Sequence, residues 1–214
     1  DIAALRTAFE EAAARGEVSC EDTGWSNGFN PHFLFSRGNN SNHISGINAA
    51  DSAGRTRIEI AGRASLLRLY RFLKKQPGLE KLEFKLNAAE CGVRETRTIV
   101  GLETVTAEEY AAGKKYKDAV SHAFYPIDLH DAKVGLDKRN LAPGIVPTVP
   151  RGALIPRNTR HLLAAGRILS SDRLANSALR VQATCMATGQ AAGALAALSV
   201  RLGVPAEEIP MPEL

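Results

Sequence analysis

The chain has 214 residues, of which 44% are hydrophobic, enough to bury a sizeable core in one large domain or two small ones. Charged residues make up 23%, an ordinary globular proportion that excludes a disordered or fibrous chain. The formal net charge is only +4, and the basic residues are scattered along the sequence, whereas a dedicated nucleic-acid-binding protein clusters them. Nucleic acid is therefore not an expected partner.

Cysteine and histidine usage limits the class of protein further. The three cysteines stand far apart, which argues against a disulfide scaffold and predicts a reducing, cytoplasmic location. The five histidines contain no i, i+4 pair, and no CxxC or HExxH motif is present, so no metal site is predicted. The chain opens on an amphipathic helix without an initiator Met or a signal peptide, so we expect a fragment or a processed chain.

The first half of the chain predicts two long helices separated by loops. Apolar residues three and four positions apart predict a helix that ends near Arg15, with Gly16 as its C-terminal cap. Residues 17–54 are rich in Gly, Asn and Ser and are typical of loops and short strands. A second helix is predicted from about Thr56 to Lys75, and strands over 82–86 and 98–105 follow it.

The second half predicts a short helix, extended segments and one long helix. Thr106 and Glu109 form a capping-box pattern, and residues 119–131 and parts of 134–156 are predicted to be extended. A strand over 161–166 and a polar loop over 170–180 precede a helix over 183–202, in which Gly189 and Gly193 would pack against a sheet. Polar residues interrupt this helix, so no membrane partner is expected. Together these elements predict an α+β fold.

One short motif suggests a serine hydrolase. Residues 24–28 match the GxSxG pattern of a nucleophile elbow, with Ser26 as the nucleophile. That chemistry requires an apolar strand before the serine and a helix after it, and neither flank fits. A glycine-rich loop is the favoured interpretation, and hydrolysis by Ser26 is the weaker alternative.

The segment from Leu162 to Leu202 is the most informative. The predicted helix presents backbone N–H groups and the positive end of its dipole at Ala183, Thr184 and Cys185. Such an end stabilises negative charge, including that on the N1/C2=O edge of a reduced flavin, and Arg180 would add a full positive charge. The open alternative is a helix end that simply faces water.

Residues 161–171 (HLLAAGRILSS) and 179–193 (LRVQATCMATGQAAG) resemble the C-terminal flavin-contacting segment of FAD-dependent oxidoreductases. Those relatives belong to the broad fumarate reductase and glutathione reductase-like superfamily. Three earlier blocks resemble the same family: residues 61–63 (AGR), 92–97 (GVRETR) and 125–131 (YPIDLHD). The family's N-terminal Rossmann half, with its GxGxxG motif, is missing from this sequence.

The resemblance implies two functional regions along the chain. Residues 1–150 would form a substrate or cap region, and residues 151–214 would complete a FAD-binding domain by docking on the missing Rossmann half. The implied reaction is hydride transfer between a small organic substrate and FAD, and we expect the isolated fragment to be inactive. The implied cofactor-binding residues are Gly166, Arg167, Arg180, Val181, Thr184 and Cys185.

The catalytic candidates are Arg94, His130 and Arg180. Arg94 and Arg97 would bind a carboxylate, carbonyl or hydroxyl of the substrate, but surface pairing with a nearby glutamate is an equally open interpretation. His130 would act as a general acid or form an ordinary loop hydrogen bond beside Asp131. The competing class is a cofactor-free interaction module, which would bind a partner through the apolar surface of the Ala- and Gly-rich helix.

Overall fold

The structure is a computed structural model that describes residues 1–24, 29–34, 42–131 and 135–214. Helices make up 45% of the described residues and strands 9%, in small sheets, which confirms the predicted α+β fold class. The chain forms two compact units: residues 1–96 with 130–136, and residues 97–129 with 137–214. These units do not follow the functional division at residue 150, which stays a prediction.

Among its described residues, the first unit contains two α-helices with side-chain caps. Helix α1 (Ile2–Ala14) begins where the Asp1 carboxylate accepts from the Ala3 amide at 2.9 Å, and ends before Gly16, whose φ is +72°. Helix α2 (Ser52–Lys74) begins four residues earlier than predicted because Asp51 caps it, accepting from the Gly54 amide at 2.6 Å. Two 3₁₀ turns, Cys20–Thr23 and Pro31–Leu34, lie between the helices.

Aromatic packing holds the first unit together. Phe9 is fully buried, and its ring centroid lies 5.1 Å from that of Phe29 and 5.5 Å from that of Phe72. The surrounding core is supplied by α1, α2 and the connecting chain: Leu5, Ala12, Val18, Leu69 and Leu73. The three- and four-residue spacing of these positions is what predicts both helices from the sequence.

The second unit contains three helices and a small antiparallel sheet. Helix α3 (Ala107–Ala111) precedes strand β1 (Ala119–His122), which pairs antiparallel with strand β4 (Thr148–Pro150), with an irregularity between Ala119 and Ser121. Helices α4 (Arg173–Leu179) and α5 (Gln182–Leu202) follow. Strands β2 (Ile127–Asp131) and β3 (Gly135–Arg139) form a separate two-stranded sheet, of which residues 127–129 and 137–139 belong to the second unit. The remaining turns are 3₁₀ helices: Arg151–Leu154, Gly166–Ile168, Ala206–Glu208 and Met211–Glu213.

The core of the second unit lies between α5, β1 and the chain that leads into α4. Leu195 on α5 is fully buried, as are Leu154, Leu169 and Leu179. Tyr110 on α3 is also buried, and its hydroxyl donates to the Tyr125 carbonyl at 2.6 Å. Burial raises the pKa of this phenol, which therefore stays neutral and acts as a fixed donor.

The structure corrects several predicted elements. Residues 82–86, 98–105 and 161–166 form no strand: the first is irregular, with Leu86 88% exposed, and the second makes only isolated bridges, at Gly101 and Val105. Alternating polarity makes a strand only where a partner strand is available. The polar loop over 170–180 instead contains α4, capped by Asp172. Gly189 and Gly193 face open space, so they do not pack against a sheet.

Helix α5 is long and apolar enough to span a membrane by length and composition alone. Only 28% of its most apolar 18-residue stretch is buried inside the protein. A single such helix is weak support for a membrane span, because the core helices of soluble proteins can have the same length and apolar composition.

Glu103 lies half-buried in the second unit, with its carboxylate against Gly152. Burial raises the pKa of this carboxyl, and the negative charge of Asp118 raises it further, whereas Lys114 opposes the shift. Because the folded-state pKa is raised, ionisation of Glu103 destabilises the fold. The destabilisation is absent below the unfolded-state pKa of about 4.3 and complete above the folded-state pKa.

The Glu103→Gln variant is therefore expected to be more stable than the wild type near pH 7, with the gain vanishing near about pH 4. Hydrogen exchange of the β1 and α5 amides at both pH values measures this, and Glu207→Gln, an exposed position on the Ala206–Glu208 turn, is the matched control. A gain that is equal at both pH values would contradict the assignment to Glu103 ionisation.

Candidate functional site

The chain enters the candidate site through a tight turn at Gly166. Residues 162–165 run irregularly beside the Arg151–Leu154 turn, where the Ala164 amide donates to the Leu154 carbonyl at 2.8 Å. Gly166 then takes a φ of +73°, a left-handed conformation that favours glycine, and begins the Gly166–Ile168 turn. This turn stands in place of the predicted strand, and the close approach of a ligand to the Gly166 backbone stays a prediction.

The N-terminus of α5 lies beside this turn. Helix α4 ends at Leu179, Arg180 makes the bend, and Val181 caps α5 in an extended conformation without a side-chain hydrogen bond. The amides of Gln182, Ala183 and Thr184 have no intrahelical partner, because they belong to the first turn of a 21-residue helix. This end of α5 therefore carries partial positive charge.

The prediction that the Cys185 amide is a free donor is wrong. Because α5 begins at Gln182, one residue earlier than predicted, the amide of Cys185 donates to the Val181 carbonyl at 2.9 Å. The backbone of Cys185 is therefore occupied, and only its side chain is available to a ligand. The amide at Gln182 takes its place among the first-turn donors.

The Thr188 side chain connects the Gly166 turn to α5 by hydrogen bonds. Its hydroxyl accepts from the Gly166 amide at 3.1 Å and donates to the Thr184 carbonyl at 2.8 Å. The Cys185 thiol lies on the same side: a Cβ added at Gly166 would lie 3.7 Å from its sulfur, and the thiol donates to the Arg180 carbonyl at 3.3 Å. Gly166, Arg180, Thr184 and Cys185 are thus brought together by direct contacts.

The Thr188→Val variant tests this connection, because valine keeps the shape of threonine and loses its hydroxyl. Thr188 is fully buried, so the Gly166 amide would lose its acceptor at a cost of about 1–3 kcal/mol in the free energy of unfolding. Urea unfolding measures the change. The matched control is Thr159→Val, an exposed position in the chain that leads to the Gly166 turn, and equal stabilities of the two variants would contradict the role of Thr188.

Two arginines supply the charge of the site. The Arg180 guanidinium is half-buried and donates to the Asp128 carbonyl at 3.1 Å. Arg167 is exposed, and its carbonyl accepts from the side-chain amide of Asn176 at 3.0 Å. Burial raises the pKa of the Cys185 thiol, although the Arg167 charge lowers it in part. Cys185 is therefore a neutral thiol rather than a thiolate nucleophile at neutral pH.

The two remaining catalytic candidates belong to the first unit. Arg94 is half-buried in an irregular stretch, and His130 lies on β2. The structure places His43 against His130, with ring centroids 4.8 Å apart and planes at 78°. Nothing in the sequence pattern indicates this pair, because the two histidines are separated by more than eighty residues.

The sequence bears on two other kinds of site, a serine nucleophile and a metal site. Ser26, the hydrolase candidate, lies outside the described residues. Within the described ranges, no group of three or more His, Cys, Asp or Glu side chains has the arrangement of a metal site. The site therefore consists of amide donors, two guanidinium groups and a thiol, which suit an acceptor-rich, partly negative ligand.

Comparison with known proteins identifies the family. No curated protein and no solved structure matches this chain. The family model of the FAD-dependent oxidoreductases matches residues 4–214, nearly the whole sequence, and FAD is the cofactor of that family. With that match across both units, the chain belongs to the FAD-dependent oxidoreductase family.

Proposed function

We propose that this protein transfers hydride between a small organic substrate and FAD. The observation that carries the proposal is the uncapped N-terminus of α5, which meets Arg180 and the Gly166 turn within one contact network. When bound, FAD supplies the two-electron chemistry. The protein residues bind it, orient it and balance its charge.

The residues present fit the flavin ring of this cofactor. The amides at the start of α5 donate hydrogen bonds to acceptor atoms, and Arg180 adds a full positive charge close to them. Gly166 has no side chain to obstruct a ligand that approaches its turn. The residues that would hold the cofactor are Gly166, Arg167, Arg180, Val181, Thr184 and Cys185, with Cys185 acting through its side chain.

The rest of FAD requires a different kind of site. Its pyrophosphate is held in many proteins by a GxGxxG turn at a helix N-terminus, and these 214 residues contain no such motif. We infer that a dinucleotide-binding half, of the kind found in the fumarate reductase and glutathione reductase-like superfamily, completes the cofactor site.

On the substrate side, Arg94 and His130 have complementary tasks. The Arg94 guanidinium would bind a carboxylate or carbonyl oxygen and so orient the substrate. The His130 imidazole would hold or accept the proton that accompanies removal of hydride from a carbon bearing a hydroxyl or amine. Both residues lie within residues 1–150, which the resemblance assigns to the substrate region.

An absorbance spectrum of the protein, purified at its full encoded length, tests the proposal. The expected result is the two-band flavin spectrum in the visible range, with the bands removed by heat denaturation and filtration. If the purified protein shows no flavin bands, and none appear after incubation with excess FAD, the proposed function is wrong.

The second candidate function is a cofactor-free interaction module. The observation in its favour is the exposed outer face of α5, where Met186 is 75% and Val200 is 86% exposed and Gly189 and Gly193 face open space. The same spectrum distinguishes the two functions, because an interaction module would remain colourless at full length and after incubation with FAD.

A further inference from the structure

Helix α2 is strongly basic. Helix α2 contains six basic residues and one acidic residue, so its net charge exceeds the +4 of the whole chain, and the remainder is slightly negative. The other 21 of the 27 Lys and Arg residues are distributed along the rest of the chain, where acidic residues balance them.

The outer face of α2 is a narrow apolar seam. The inner face packs into the core of the first unit through Leu69, Phe72 and Leu73. On the outer face, Ile60, Ala64 and Leu67 follow one another at intervals of four and three residues, and Ile60 is 65% and Leu67 45% exposed. The seam is about 10 Å long, at 1.5 Å per residue.

An arginine flanks the apolar seam at each end. Arg57 precedes Ile60 by three residues, and Arg71 follows Leu67 by four, so both lie on the same helical face. Both are exposed, and neither forms an ion pair with any residue in the described part of the chain. Two other basic residues of α2 already form ion pairs, Arg63 with Glu59 and Arg68 with Asp22.

We propose that the outer face of α2 docks an acidic amphipathic α-helix of a partner protein. Intervals of three and four residues are those at which one helix meets another, and the small Ala64 between Ile60 and Leu67 leaves a hollow that a partner side chain fills. Carboxylates at the ends of the partner's apolar stripe would pair with Arg57 and Arg71.

Two other occupants match the seam less well. A bilayer takes up a wide apolar face, whereas this seam is one side chain wide and has only two large apolar residues. A second copy of the chain would bring two strongly basic helices together, which like-charge repulsion opposes. An acidic amphipathic helix would cover the apolar seam and pair its carboxylates with Arg57 and Arg71.

The test uses a fluorescein-labelled designed peptide of 21 residues, with Leu at the a and d positions of each heptad and Glu at e and g. Its anisotropy is measured against the full protein, with a matched peptide carrying Lys in place of Glu as the charge control. We expect the acidic peptide to bind at least about tenfold more tightly than the basic one, and its affinity to fall as salt rises.

Two double variants separate the apolar and charged contributions. Ile60→Ser with Leu67→Ser, and Arg57→Gln with Arg71→Gln, are each expected to weaken binding about tenfold. The control, Met186→Ser with Val200→Ser, alters two apolar residues on α5 that are more exposed than Ile60 and Leu67, and this variant should bind as the wild type does. Circular dichroism verifies that each variant is folded.

Three outcomes would overturn the proposal. Equal affinity for the acidic and basic peptides would show that charge plays no part. Unchanged binding by both α2 double variants would place the peptide elsewhere. Preferential binding of vesicles of equal phosphatidylglycerol and phosphatidylcholine, or of a 20-base-pair DNA duplex, with no competition by the acidic peptide, would assign the face to a lipid or nucleic-acid surface.

Discussion

The Asp22→Ala variant is expected to lose about 2–4 kcal/mol of the free energy of unfolding of the first unit. The Asp22 side chain is 1% exposed, and its carboxylate accepts from the Ser19 amide at 2.8 Å, from the Arg68 guanidinium at 2.7 and 3.2 Å, and from the Ser65 hydroxyl. Removing the carboxylate leaves three donors without their acceptor. The cost lies below that of a fully buried pair because Arg68 is 44% exposed and regains water.

Hydrogen exchange of the α1 and α2 amides measures this loss within the first unit, without assuming that both units unfold together. The matched control is Glu21→Ala, an exposed carboxylate on the same turn that bonds the Ser45 hydroxyl, for which a change of less than about 0.5 kcal/mol is expected. Unchanged protection in the Asp22→Ala variant would mean that the carboxylate is dispensable for docking the Cys20–Thr23 turn on α2.

The long helices could be predicted from the sequence because their signal is local. The apolar positions of α1, α2 and α5 repeat at the helical period, and their predicted starts differ from the observed ones by at most four residues. Helix α4 is not predicted from the sequence, because its polar composition is typical of a loop. Its buried polar side chains are satisfied by hydrogen bonds: the Ser177 hydroxyl donates to the Leu174 carbonyl, and the Asn176 side-chain amide donates to the Arg167 carbonyl. Only the Asp172 cap indicates the start of α4.

The strands are the least predictable elements because a strand depends on a distant partner. Residues 82–86 alternate in polarity as a strand does, but no neighbouring strand in the described part of the chain pairs with them, and they stay irregular. Strand β1 finds its partner β4 about thirty residues later, across a segment with three prolines. No local pattern specifies that choice.

The same distinction applies to the candidate site. Gly166, Arg180, Thr184 and Cys185 lie within twenty residues of one another, so a turn followed by a helix is enough to predict that they meet. The contact of His43 with His130 depends on the tertiary fold of the first unit and could not be predicted from spacing.

Removing the charge of Arg180 is expected to make the bound flavin harder to reduce. Reduction adds negative charge to the flavin ring, and the Arg180 guanidinium, at the positive end of α5, favours that charge. A charge-assisted contact is worth about 1.5–3 kcal/mol, which corresponds to a drop of about 30–65 mV in the midpoint potential of a two-electron couple. Redox titration of the flavin-loaded Arg180→Ala protein against a dye of known potential measures the change.

Two further variants separate charge from structure. Arg180→Lys keeps the positive charge and should restore most of the potential, although it weakens the geometry of the bond to the Asp128 carbonyl. Arg201→Ala removes an arginine at the opposite end of α5, where Arg201 pairs with Glu213 at 2.8 Å and the helix dipole is reversed, and should leave the potential unchanged. If Arg180→Ala and wild type have equal potentials, Arg180 lies away from the flavin. The start of α5 then serves packing rather than the cofactor.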